Sequence, residues 1–401
     1  MDHEEILLTI AVASDLHAYR RPDDKSSTYQ SPSKLCLSDT EENHLSHPFA
    51  GLNFLIGEEK LKADIFLCPG DMTDRAAPDG VKYSWDQIHQ SGKLLGAKLT
   101  TATVGNHDID SRETTLAEDP KELLQQLNPK YPLPDTNLTN EFWAQNFTLY
   151  QGDNYSLLLL NTCVKHGKPE ELERGYITVH TLNQLKKRID SAPLKAINIL
   201  LCHHHPHQHS ELSLGDHDVM KNGQLLIDSL ALNGNWLIIH GHKHHPKISY
   251  AAGGASSPIV FASGSFSGNF GPEAETRTRN QFHLVDIVQL KDKPYAFYGM
   301  IRSWNWAFGS GWVRSIGGAV AGMPPTAGFG TRLHPAELAK IVASKMVRSK
   351  LKKWDELCKS IPELNFQLPQ DYEQFKNILV MDYKLSVEED QGAPSQVGIA
   401  K

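Results

Sequence analysis

Cysteine is scarce in this chain of 401 residues, and the five present (Cys36, Cys68, Cys163, Cys202 and Cys358) form no C-x-x-C pair. Several lie within apolar runs, so a disulfide framework is a poor fit, and buried free thiols in a reducing compartment are expected. The N-terminus, MDHEEILLTIAVASDLH, lacks the basic residues of a secretory leader, and its apolar run ends in a polar motif. No stretch approaches the length of a membrane-spanning helix, which argues for a cytoplasmic protein without membrane insertion. An excess of positive charge is missing as well: 40 Lys and Arg against 47 Asp and Glu give a formal net charge of −7. The average surface therefore does not attract nucleic acid, and such a partner would need a local basic groove. No internal repeat is present.

Histidine, by contrast, is plentiful, with 20 residues clustered around 203–217 and 240–245. Imidazole is the commonest metal-ligand side chain, so the clustering carries more weight than the count. Short apolar, β-branched-rich runs recur at Ile6–Ala13, Ala63–Cys68, Leu99–Val104, Tyr155–Leu160, Ala196–Cys202, Trp236–His240, Ile259–Ala262 and Phe282–Leu290. Each has the length of a buried strand. Helical stretches lie between them at Thr178–Ile189, with Thr178 as cap, and at Met220–Leu232. Strands alternating with helices predict an α/β core whose sheets are covered by helices, and the close spacing of the later strands predicts an antiparallel part. The Gly- and Pro-rich run Gly317–Gly330 reads as an irregular connection. Residues His334–Ile361 read as helical, and the polar tail from Glu388 as frayed.

The strand ends carry the chemistry. The first strand runs into Asp15-Leu16-His17, the second into Gly70-Asp71, and the third into Gly105-Asn106-His107-Asp108. Two later strands end in His203-His204-His205-Pro206 and Gly241-His242-Lys243-His244. Carboxyl ends of strands line the ligand crevice of an open α/β sheet, so five pieces deliver Asp, Asn and His donors to one rim. That mixed oxygen and nitrogen inventory suits two divalent cations. In D-x-H and H-x-H, alternate residues can point to the same side and grip one ion.

This ordered set, D-x-H, G-D, G-N-H-D, a histidine segment and G-H-x-H, resembles the calcineurin-like metallophosphoesterase superfamily over about residues 5–300. The G-N-H-D and H-H-x-P forms, with Asp216-His217 and Asn222-Gly223, are most similar to the bacterial cyclic-nucleotide and glycerophosphodiester phosphodiesterase branch. The resemblance implies a four-layer α/β/β/α domain over residues 1–331, with residues 332–401 as a helical C-terminal appendage. It implies two divalent ions, of manganese, iron or zinc. Asp15, His17, Asp71 and His244 would hold the first. Asp71, Asn106, His203 and His242 would hold the second, with Asp71 shared and His204 as the fallback for His203. A hydroxide bridging the ions, with a net charge of roughly +1, would attack the phosphorus. His107 resembles the family's catalytic histidine, with Asp108 orienting its imidazole. The implied activity is phosphodiester hydrolysis, on a small molecule or a nucleic acid. The rivals are a nuclease, a phosphomonoesterase or phosphoprotein phosphatase, and a catalytically silent binding module.

Other features read more plainly. His205, His207 and His209 are spare loop histidines beside the site. Arg75, in GDMTDR, is followed by Ala76 where a protein phosphatase has glycine, so it reads as a surface or structural residue. Trp304, Trp306, Phe308 and Trp312 read as packing before a base-stacking platform, and Lys345–Lys353 as a solvated helix face.

Overall fold

The computed structural model of the protein describes residues 4–400, apart from 23–29, 39–42, 111–118, 166–173, 209–218, 255, 276–277, 315–320, 347–349 and 391. His209, Asp216 and His217 therefore lie outside the described residues. Strands β1 (Glu4–Val12), β2 (Ile65–Cys68) and β3 (Leu99–Ala102) run parallel to one another. Next come β4 (Phe147–Gln151), β5 (Tyr155–Leu160), β6 (Ile197–Leu201), β7 (Trp236–His240), β8 (Lys247–Tyr250) and β9 (Ile259–Ala262). These six form one sheet in the order β4-β5-β6-β7-β9-β8, in which β5, β6, β7 and β9 are parallel. Strands β10 (Gln281–Leu290), β11 (Lys293–Ala307), β12 (Gly311–Arg314) and β13 (Thr326–Phe329) return to the first sheet. Its order is β12-β11-β10-β1-β2-β3, with β13 paired to β11. The antiparallel part is this return, β10 against β1 and β11 against β10.

The period of two along each strand explains the layers. In β5, β6, β7 and β9, Leu157, Leu159, Ile199, Leu201, Leu237, Ile239, Ile259 and Phe261 join one core with β1 and β2. The alternate residues Leu158, Leu160, Leu200, Ile238 and Val260 join a second core with Leu182, Leu185, Leu226 and Leu230, from helices Val179–Ser191 and Gly223–Ala231. Helices Pro48–Glu58 and Pro78–Leu95 place Phe49, Leu52, Trp85 and Ile88 against the first sheet. Helix, sheet, sheet, helix is the expected four-layer order. Thr178 caps its helix as expected, accepting the Thr181 N–H.

The C-terminal segment departs from the expectation. Helices Pro335–Met346, Trp354–Ser360 and Pro369–Tyr383 are joined by a sheet of β14 (Leu351–Lys353), β15 (Leu385–Asp390) and β16 (Ala393–Ile399), in the order β14-β16-β15. The polar tail pairs as an antiparallel hairpin instead of fraying, since Leu385 and Val397 bury into a core with Trp354, Leu357 and Phe375. The basic run Lys345–Lys353 is likewise not one helix face: Lys345 lies on the helix Pro335–Met346, and Lys352 and Lys353 lie on β14. Trp304, Trp306 and Trp312 are buried, as the packing reading requires, while Phe308 is exposed. All five cysteines are buried and free. Among the described residues no helix is long and apolar enough to cross a membrane.

Candidate metal centre

The strand ends converge as the motifs anticipated, and they do so in an uncommon backbone conformation. Asp15, His17, Asp71, His242 and His244 all adopt positive φ, between 47° and 84°. An L-residue held there carries about 1–3 kcal/mol of strain, of the kind that collects at functional sites. Two motif glycines serve close approach instead of φ. A Cβ on Gly105 would lie 2.2 Å from Asp71 Oδ1, and one on Gly241 would lie 2.4 Å from Asp15 Oδ2. Only glycine lets these turns press against the two carboxylates.

Two donor groups result. In the first, His17 Nε2 and His244 Nε2 are 3.1 Å apart, and His244 Nε2 lies 3.5 Å from Asp15 Oδ1. In the second, Asn106 Oδ1 lies 3.0 Å from His203 Nε2 and 3.1 Å from His242 Nδ1. Asp71 Oδ2 reaches both groups, at 3.7 Å from His17 Nε2 and 3.3 Å from His203 Nε2. Its other oxygen accepts the His107 N–H at 2.8 Å.

The protonation logic fits cations. His203 Nδ1 lies 3.0 Å from the Pro69 carbonyl, which can only accept, so Nδ1 carries the proton and a neutral ring turns its Nε2 lone pair toward Asn106 Oδ1 and Asp71 Oδ2. Lone pairs facing lone pairs call for a cation, either a metal ion or an added proton. Without metal, burial opposes that proton, but the Asp71 charge and hydrogen bond push His203 up to about 9. Burial likewise opposes ionisation of Asp71, yet His203 and His107 hold its carboxyl well below the usual range. Burial alone dominates at His17, whose imidazole falls to about 4, so it stays a neutral donor. Oxygen and imidazole donors, two carboxylates and one shared between the groups suit a pair of divalent ions.

His107 sits at the rim, and here the structure corrects the sequence reading. Asp108 does not orient the imidazole. Its buried oxygens accept the Met72, Thr73 and Gly105 N–H groups at 2.7, 3.2 and 2.9 Å, tying the G-D and G-N-H-D turns together. Burial, then the nearby Asp71 charge, pushes Asp108 up to about 7, against the pull of those amides. Residues that meet the His107 Nδ1 are Asp74, whose Oδ1 lies 3.1 Å away, and Arg75, whose backbone N–H lies 3.3 Å away. The signal was in plain view, because Asp74 stands three residues after Asp71 in GDMTDR. Positive φ at Arg75 and Ala76 swings that turn back onto His107, which a linear reading does not reveal. The Arg75 side chain is exposed, as expected. His204, the fallback, also stands here: its Nδ1 lies 2.8 Å from Thr162 Oγ1, its Nε2 has no hydrogen-bond partner among the described residues, and one ring nitrogen from each of His203, His204 and His242 falls within 4.8 Å of the others.

A comparison with curated proteins finds no match. Solved structures similar to the chain include a dimetal phosphatase from Danio rerio, at 11% identity over 76% of this chain and 98% of that one, with a TM-score of 0.45. They also include a purple acid phosphatase from yellow lupin, at 14% identity over 76% and 52% of the two chains, with a TM-score of 0.46. A 5'-nucleotidase precursor from Thermus thermophilus is similar at 11% identity over 70% and 51%, with a TM-score of 0.34. The family model of the calcineurin-like phosphoesterases matches residues 8–246, a span that is more than half of the chain and includes Asp15 through His244, and the protein belongs to that family of phosphoester hydrolases.

Proposed function

We propose that the protein is a dinuclear phosphodiesterase in which Asp15, His17, Asp71 and His244 hold one divalent ion and Asp71, Asn106, His203 and His242 the other. The observation that carries this reading is the position of Asp71 Oδ2, within 3.7 Å of a ring nitrogen from each donor group. The chemistry two such ions supply when bound is Lewis acidity toward phosphoryl oxygen and a lowered pKa for bound water. The chain's own residues do the rest. The buried carboxylates fix the spacing of the two donor groups. His107, partly exposed at the rim, holds a proton for the departing oxygen, and Asp74 keeps its Nδ1 side engaged so that Nε2 faces the reaction.

Preference for a diester follows from the motifs and not from charge. The reading rests on the G-N-H-D and H-H-x-P segments, which are most similar to the phosphodiesterase branch, since the Asp74 carboxylate is balanced by the protonated His107 it meets. Trp304, Trp306 and Trp312 are buried and Phe308 is the exposed aromatic of that cluster, so the cluster gives little support to a base-stacking nuclease, and a small-molecule diester is the reading we favour. The test pairs metal analysis with a panel of bis-p-nitrophenyl phosphate, p-nitrophenyl phosphate, cyclic nucleotides and single-stranded DNA. Chelation is expected to abolish hydrolysis, manganese to restore it, and diesters to be cleaved faster than monoesters. Full turnover in a verified metal-free preparation overturns the dinuclear reading, and a clear preference for monoesters overturns the diesterase reading.

A further inference from the structure

The loop after β9, residues 263–270, ends in an aromatic ring that joins no core. Phe270 is half-buried, and among the described residues it belongs to none of the hydrophobic clusters of the fold. Its ring contact there is with a candidate metal ligand: the centroids of Phe270 and His244 are 5.9 Å apart. The His244 side chain is itself 28% exposed, so the two rings meet at the mouth of the first donor group. A single exposed apolar residue means little by itself. This one is held in place. Ser265 Oγ donates to the Asp15 carbonyl at 2.8 Å and Ser267 Oγ to the Leu16 carbonyl at 2.6 Å, which ties the loop to the D-x-H turn. On the other side the Asn269 N–H donates to the Pro32 carbonyl at 3.0 Å, and Asn269 Nδ2 to the Ser31 carbonyl at 3.0 Å. Ser33 Oγ closes the frame by donating to the His17 carbonyl at 2.8 Å. The backbone that positions Asp15 and His17 therefore also positions the residue before Phe270, and such supporting hydrogen bonds are how a binding site is preorganised.

The rings around the first donor group make a series of contacts. His107 meets His17 with centroids 4.8 Å apart, His17 meets His244 at 5.1 Å, and His244 meets Phe270 at 5.9 Å. The two ends of the series differ in kind, an imidazole at one and an apolar ring at the other. We propose that Phe270 is a specificity-determining residue, which takes the ester group that stays on phosphorus while the leaving oxygen faces His107. The substrate class is accordingly a phosphodiester whose retained group is aromatic, or otherwise flat and apolar. The inference rests on the diesterase reading above. A phenyl ring offers stacking and apolar contact and no hydrogen bond. A hydroxyl-rich retained group would give up water against it without gaining a partner, so a polyol fits this wall poorly.

The test varies the retained group and holds the leaving group constant. Phenyl 4-nitrophenyl phosphate and methyl 4-nitrophenyl phosphate both release nitrophenolate and differ in what stays behind. The phenyl-over-methyl ratio of kcat/KM is expected to fall about five- to tenfold in Phe270→Ala relative to the wild type, and to be kept in Phe270→Tyr. Comparing ratios between proteins cancels the intrinsic reactivity of the two esters. Because the ring joins no core, Phe270→Ala should fold, and its manganese content should equal that of the wild type. Calorimetry on the Mn(II)-loaded full chain reads binding without turnover. Phenylphosphonate and methylphosphonate, which carry no ester bond to cleave, should show the same fall in affinity ratio. A phosphonate ratio unchanged in Phe270→Ala overturns the inference. So does loss of an ion from folded Phe270→Ala, which would make the ring a support for His244. A wild type that cleaves phenyl phosphate and neither diester sinks the diesterase reading instead, and the phosphonate ratio then still decides whether Phe270 takes the ester group.

Discussion

At the scale of single residues, the division of labour between Asp74 and Asp108 separates two kinds of damage. Asp108 links three backbone N–H groups of two ligand-bearing turns, so Asp108→Asn, which turns one acceptor oxygen into a donor, should loosen both donor groups and lower metal content. Asp74 meets the His107 imidazole at 3.1 Å and lies within 4.8 Å of the His17 ring nitrogen without being an assigned ligand, so Asp74→Asn should leave both ions bound. Its effect should depend on the leaving group. An alkoxide needs a proton, and general acid catalysis by a positioned side chain contributes about 10²–10⁴-fold. Nitrophenolate departs without one. His107→Ala should therefore cost about 10²-fold or more on an alkyl diester and far less on a nitrophenyl diester, with Asp74→Asn showing the same bias more weakly. Steady-state rates on the two diesters, alongside metal content, check this. Equal losses on both would make His107 an electrostatic stabiliser and not an acid.

At the scale of elements, the third strand ends in Ala102 and its turn reaches a carboxylate because Gly105 allows it. This was readable, since apolar runs with motif residues just beyond them fix both the strand and what its end delivers. Several well-buried elements escaped, among them β4, β11 and the helix Pro78–Leu95, and so did some whose burial is only partial or supplied by a neighbour. Strand β8 is four residues at a sheet edge with Ile248 as its buried residue. The hairpin of β15 and β16 is polar along most of its length, and two core contacts, at Leu385 and Val397, decide its order. Asp74 was missed for a related reason: backbone φ at Arg75 and Ala76, not residue type, brings it to His107. The C-terminal segment meets the main domain at several places, among them Arg332, Leu368 and one short turn. Phe366, in the 3-10 turn Pro362–Phe366, is fully buried against Val288, Leu290 and Tyr298, with the Tyr298 ring centroid 4.9 Å away. Phe366→Ala should destabilise the protein by about 3–5 kcal/mol, seen as a lower denaturant midpoint. Metal bound per folded molecule should not change, because every assigned ligand precedes residue 245. Loss of a metal ion from folded Phe366→Ala would show that the segment shapes the centre.

At the scale of the whole molecule, the metal centre couples stability to pH, and ions should reverse part of that coupling. In the ion-free protein His203 is raised to about 9 from 6.5: burial opposes its proton, and Asp71 more than compensates. A raised pKa contributes stability that is fully present below 6.5 and is lost as pH climbs through about 9. His17 works in the opposite sense. Burial lowers it to about 4, so the folded state holds it neutral, and stability is lost as pH falls from 6.5 toward 4. His204 and His242, also lowered chiefly by burial, add to that acid limb. The ion-free protein should therefore be most stable near pH 6.5 and melt lower on both sides. A bound ion takes the lone pair that His203 otherwise protonates, so uptake near pH 7.5 should release about one proton at this residue. Apparent affinity for the second ion should accordingly rise with pH. Melting temperatures of chelated and reloaded protein between pH 5 and 10 test the shape. The alkaline decline is expected to be on the order of a few degrees in the ion-free form and to vanish on reloading. Calorimetry in buffers of different ionisation enthalpy counts the proton. His203→Ala should flatten the alkaline limb and leave the acid limb, which belongs to His17, His204 and His242. A chelated wild type whose melting temperature does not fall between pH 6.5 and 9.5 would mean that Asp71 does not hold a proton on His203, and the two-ion assignment would lose its shared carboxylate.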